Sequence, residues 1–154
     1  MNIVQIFVDA DACPVKDEAA KVAARHDLLI HYVSNSHMRL PFGDKVKRVV
    51  VGGAADAADD WIVEQLAPQD IVITADVPLA ARAHKKAAHV INHNGKAFTE
   101  DSIGMALAMR NLMSQLRETG DVKGSNLVFT PADRSRFLQV LENTILAIKR
   151  AAAI

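Results

Sequence analysis

Short apolar runs of strand character alternate along this chain with stretches in which apolar positions recur every three to four residues. The runs Ile3–Val8, Leu28–Val33, Val46–Val51, Ile71–Thr74 and Ala88–Asn92 predict five strands. The helical stretches are Pro14–His26, Ala54–Leu66 and one that begins in Ala75-Asp76-Val77-Pro78 and runs to about Lys86. In the second, Ala57, Trp61, Ile62 and Leu66 are placed to face a sheet. Two longer helices follow, from Thr99 to about Glu118 and from Thr130 onward. The last presents Phe137, Leu138, Leu141, Ile145 and Ile148 on one side.

Boundary residues support these limits. Thr99 is an N-cap candidate with Glu100 and Asp101 in the first turn, and Gly120 is placed to end that helix. Thr130-Pro131-Ala132-Asp133 offers a cap, a proline at the first helical position and an acid at the third. Gly52-Gly53 and His93-Asn94-Gly95 mark turns, and residues 121–128 read as a polar linker. Strands alternating with helices, then helices only, predict one domain over residues 1–154. It is α/β, with a five-stranded, mostly parallel, doubly wound sheet and a C-terminal helical pair at about 99–150. Right-handed crossovers bring the carboxyl ends of the strands to one edge, where ligands of open parallel sheets bind.

Composition narrows the classes. A chain of 154 residues, half of them apolar, buries roughly 68–70% of its unfolded surface around a single core. Eighteen basic residues balance eighteen acidic ones, so no overall field draws the protein to a polyanion, and RNA would have to be held by a local patch. One cysteine excludes an intramolecular disulfide framework, and the chain starts on a core strand. No apolar run reaches the ~20 residues of a membrane span. The expectation is a cytoplasmic protein without a membrane element.

Aspartate recurs at the strand-to-helix junctions. Asp9 and Asp11 follow the first strand, Asp56, Asp59 and Asp60 follow the third, and Asp76 follows the fourth. Each has a plain structural use, since aspartate caps helices and early-helix acids gain from the dipole. Asp56 and Asp60, four apart on one helical face, repel by a few tenths of a kcal/mol, which a cation would relieve. The repetition at three junctions predicts a site for a hard divalent ion, Mg²⁺ or Mn²⁺, held by carboxylate oxygens.

Other candidates carry less. Cys13 reads as a small buried residue, and His84, His89 and His93 fall on a helix, a strand and a turn rather than forming a zinc site. The basic runs Arg39, Lys45, Lys47, Arg48 and Arg82, Lys85, Lys86 read as solvated faces or as a phosphate-contacting rim.

Four segments together resemble the bacterial YaiI/YqxD family across nearly the whole chain. They are Val8-Asp-Ala-Asp-Ala-Cys-Pro-Val15, the Gly-Ala-Ala-Asp-Ala-Ala-Asp-Asp segment ending at Asp60, Val72-Ile-Thr-Ala-Asp-Val-Pro-Leu-Ala-Ala81, and Phe129-Thr-Pro-Ala-Asp-Arg-Ser-Arg-Phe137. The family is similar to the PIN-domain-like nucleases. The resemblance therefore implies phosphodiester hydrolysis, with RNA the expected substrate, using Mg²⁺ or Mn²⁺ held by Asp9, Asp76 and Asp56 or Asp60. Asp11 and Asn35 would be supporting polar groups, and Arg82 belongs to the rim that would meet the substrate. Lys-Gly-Ser-Asn at 123–126 stands where the family carries Gly-Gly-Pro. Two other readings stay open. One is a phosphatase with Asp9 as nucleophile, Asp11 as general acid and Thr74 in support. The other is a non-catalytic module binding RNA or protein, although few aromatics are available for base stacking.

Overall fold

A computed structural model describes residues 4–54, 56–119 and 128–152. Five strands form one all-parallel sheet: β1 (Ile6–Asp9), β2 (Ile30–Ser34), β3 (Val46–Val50), β4 (Ile71–Ile73) and β5 (His89–Ile91). Their spatial order is β3-β2-β1-β4-β5, so the direction of winding reverses between β1 and β4. This is the expected doubly wound, PIN-like α/β architecture. The helices are α1 (Lys16–Arg25), α2 (Ala57–Gln65), α3 (Val77–Lys85), α4 (Glu100–Thr119) and α5 (Pro131–Ala152), with a 3-10 turn at Ala10–Ala12.

The central strands are apolar at nearly every position because both sheet faces are covered. Side chains alternate between the faces. Ile6, Val8, Ile71 and Ile73 enter a core shared with Val22 of α1 and with Phe137, Leu141 and Ile145 of α5. Phe7 and Val72 point the other way, onto Ile62 of α2, Leu79 of α3 and Ile103 of α4. A fully buried side chain of this size contributes about 1.5–3 kcal/mol. The two C-terminal helices, expected as a pair, are divided between the layers: α4 packs on α3, and α5 packs on α1 and β5. A sheet with two apolar faces needs a cover on each, and α1 alone does not span one of them.

Local signals hold where they are local. Thr130 and Asp133 exchange hydrogen bonds, Thr130 N–H donating to Asp133 Oδ2 at 2.9 Å and Asp133 N–H to Thr130 Oγ1 at 3.1 Å. Ser102 N–H donates to Thr99 Oγ1 at 3.1 Å at the start of α4. In α2 Ile62 and Leu66 are buried as expected, with Trp61 half-buried against the same core. Ala58 and Ile62 are buried while Ala57 is only half-buried. Residues 123–126, where the chain departs from the family pattern, and Gly120 lie outside the described residues. Among the described residues no helix is long and apolar enough to cross a membrane.

Candidate active site at the carboxyl edge of the sheet

The β1/β4 crevice is the point at which open α/β sheets bind ligands, because the connections on either side leave toward opposite faces. The register pairs Val8 with Ile73, and one step further brings Asp9 beside Thr74. Thr74 Oγ1 donates to Asp9 Oδ2 at 2.8 Å and accepts from Asp76 N–H at 3.0 Å. A single buried hydroxyl thus ties the acid ending β1 to the junction after β4. Asp76 caps α3, its Oδ1 accepting from Leu79 N–H at 2.9 Å, and its Oδ2 has no partner among the described residues. Asp9, Thr74 and Asp76 line a cleft of about 180 Å³, together with Cys13 and His93.

Burial and neighbouring charge act together on these acids. Burial raises the Asp9 carboxyl above its ordinary value, the Thr74 hydrogen bond opposes this, and the charges of Asp76 and Asp11 push it further up. Burial also raises Asp59, helped by the charges of Asp76 and Asp9, to about 6, with Arg82 acting against the shift. Carboxylates on β1, on α2 and at the start of α3 are therefore within electrostatic reach of one another. Burial pushes the Cys13 thiol up to about 11, which keeps it protonated and inert.

The predicted residues divide as follows. Asp9 and Asp76 share the cleft. Asp56 sits exposed at the N-cap of α2 and makes no side-chain cap bond. Asp60 is held by Arg82, Nη1 to Oδ1 at 2.8 Å, in a pair that is about half exposed on both sides. Asp11 Oδ2 accepts from Asn35 N–H at 2.9 Å, which joins those two supporting residues across the mouths of β1 and β2. The α2 acid turned toward Asp9 and Asp76 is Asp59, which the four-residue spacing of Asp56 and Asp60 passed over. With Ala58 and Ile62 inward, position 59 flanks the buried face, whereas 56 and 60 lie two positions from it. Fixing the helix phase on Ala58 and Ile62 would have found it. His93 is the second residue that sequence reasoning missed, because its place depends on a turn docked by α5.

Among the described residues no three histidine, cysteine, aspartate or glutamate side chains form a ready-made metal cage. The donor set nonetheless suits a hard ion. Mg²⁺ is ordinarily held by one or two carboxylates, with waters and substrate phosphate completing its shell, and Asp9 and Asp76 supply two.

The fold and this crevice define a doubly wound α/β protein with an acid-lined switch point. The chain belongs to the YaiI/YqxD family, described as "Uncharacterized BCR", whose profile matches residues 7–147. It is 62% identical over 146 residues to a UPF0178 protein of Parvibaculum lavamentivorans, covering 95% of this chain and 96% of that one. A UPF0178 protein of Rhodospirillum rubrum is 58% identical over 147 residues, at 95% and 98% coverage. A third, from Rhodopseudomonas palustris, is 53% identical over 151 residues, at 98% and 96%. No solved structure matches the chain.

Proposed function

We propose that this protein is a divalent-metal-dependent phosphodiester hydrolase acting on RNA, with its centre at the β1/β4 crevice. The observation that carries the reading is a cleft lined by both Asp9 and Asp76, brought together from distant parts of the chain, with the charge of each also felt by Asp59 of α2. Folding places like charges together at a cost, and a bound cation is the simplest means of offsetting it. Asp9 and Asp76 would hold Mg²⁺ or Mn²⁺, with Asp59 adding negative charge from the α2 side. When bound, such an ion lowers the pKa of an attacking water and offsets charge on the phosphate oxygens.

The chain's own residues do the positioning. Thr74 fixes the Asp9 carboxylate by donating to Oδ2, and no hydrogen bond holds Oδ1 among the described residues. The N-cap bond fixes Asp76 in the same way through Oδ1. Arg82 pairs with Asp60 and places a cation near Asp59, where a phosphate chain would pass. The phosphatase reading has less support, since Asp11, its general acid, is held by the Asn35 amide and is absent from the lining of the cleft.

The test is cleavage of short RNAs with Mn²⁺ by the wild type and Asp9→Asn. The substitution keeps the shape of the side chain and removes its charge. The expected loss exceeds about a hundredfold, more than removal of an outer-shell partner of a metal costs. Mn²⁺ should also raise the melting temperature of the wild type and not of the variant. Equal rates for the two proteins, or no cleavage with any divalent ion, would sink the proposal.

A further inference from the structure

The turn after β5 places an unused side chain on the wall of the acidic cleft. Gly95 N–H donates to the Asn92 carbonyl at 2.9 Å, and Asn94 N–H donates to Asn92 Oδ1 at 3.3 Å. Gly95 has φ +87°, and a Cβ at that position would lie 2.6 Å from the backbone of Arg136 and Phe137. Only glycine allows α5 to press this close. Arg136 Nη1 adds a bond to the Asn94 carbonyl at 3.0 Å. The segment carrying His93 is thus clamped against α5, and its imidazole lines the cleft with Asp9, Thr74 and Asp76.

The ring is held by an aromatic contact rather than by hydrogen bonds. It meets Phe129 edge to face, with centroids 6.0 Å apart and planes at 66°. Neither nitrogen has a hydrogen-bond partner among the described residues. Since no unpartnered side-chain nitrogen or oxygen is fully buried, both nitrogens reach solvent. Burial holds the imidazole below its ordinary range, against the pull of Asp133, so the neutral ring offers one N–H donor and one acceptor.

The cleft is short of donors. When holding a metal, the carboxylates of Asp9 and Asp76 would only accept, and the Thr74 hydroxyl proton is already given to Asp9. Among the other side chains of the lining, Cys13 carries only a weakly donating thiol. A phosphodiester is an acceptor as well, and it needs an N–H on the side of the cleft away from the acids.

We propose that His93 is a substrate-contacting residue, whose ring N–H donates to a non-bridging oxygen of the phosphodiester lying between it and Asp9 and Asp76. This deepens the hydrolase reading and rests on it.

Four proteins test it on one RNA substrate with Mn²⁺: the wild type, Asp9→Asn, His93→Phe and His93→Gln. Phenylalanine keeps the aromatic contact with Phe129 and removes the donor; glutamine does the reverse. His93→Phe should lose about 10- to 100-fold in kcat/KM, the scale of one hydrogen bond to a charged group. His93→Gln should recover part of that loss even if it melts lower, an order that a packing role would invert. His93→Phe as active as the wild type, beside an inactive Asp9→Asn, overturns the role of His93 and leaves the hydrolase standing. Glutamine no better than phenylalanine also overturns it. A wild type that cleaves nothing removes the hydrolase reading and this inference with it.

Discussion

The two ends of the same sheet both present aspartate, and they use it in opposite ways. At the amino end, Asp70 is only 5% exposed and accepts from Gln5 N–H at Oδ1 and from Ala67 N–H at Oδ2, both at 2.9 Å. Each oxygen has its own backbone donor, and the carboxylate stitches the entry of β4 to β1 and to the end of α2. At the carboxyl end, Asp9 and Asp59 each meet the charge of Asp76, and the Thr74 hydroxyl is shared between Asp9 and the Asp76 amide. The amino end also holds the larger cleft, about 540 Å³ against about 180 Å³. Cavity volume and chemistry therefore point to different places in this molecule. Chemistry is the better guide: Asp70 is buried with a backbone donor on each oxygen, whereas Asp76 lines its cleft with Oδ2 without a partner among the described residues.

The sharpest way to break this contrast is to remove Asp70. Asp70→Ala leaves two backbone N–H groups without acceptors in a buried site and should cost about 2–3 kcal/mol in denaturant unfolding. The activity of the molecules that remain folded should be unchanged. A loss of activity at full folding would mean that the amino end takes part in function.

A smaller effect of opposite sign is expected at Asp59. Its carboxyl titrates near 6 in the folded protein against 3.8 ordinarily, so ionising it works against folding. That cost is absent below about pH 4, grows between 4 and 6, and is complete above 6. Without divalent ions, Asp59→Asn should therefore be more stable than the wild type by ~1 kcal/mol at pH 7–8, allowing for solvent screening of a partly exposed group. The gain should vanish near pH 4. Melting curves at both pH values check it, and a variant less stable at pH 8 would show that ionising Asp59 does not work against folding.

The smallest effect is expected at Asp133, which repeats the chemistry of Asp70 on an exposed helix end. Its hydrogen bond from Thr130 N–H holds the carboxyl below its ordinary value. Its contribution is accordingly present above about pH 3.8 and lost as pH falls through the lower folded value. Asp133→Ala should lower the melting temperature by less than Asp70→Ala does, with the difference from wild type fading in acid. An equal loss at both sites would mean that burial is not what separates them.

The two site residues missed in the sequence share a cause. Asp59 depends on the rotation of α2 about its axis, which Ala58 and Ile62 set against Phe7 and Val72 rather than by anything adjacent in sequence. His93 depends on α5 closing over a turn about forty residues earlier in the chain, where Gly95 admits Arg136 and Phe137. Asp9 and Asp76 were legible because each ends an apolar run, and a strand end is a local property. Asp76 as the cap of α3 and the Thr130–Asp133 box were legible for the same reason.

From the sequence alone came the periods of five strands and five helices, the helix caps, and the recurrence of aspartate where strands give way to helices. Those features are set by interactions spanning a few residues, so they can be read in order along the chain. The tertiary structure decided which carboxylates meet, which sheet face each C-terminal helix covers, and that a histidine joins the acids. Proximity between distant segments depends on how whole faces pack, and no neighbouring residue records it.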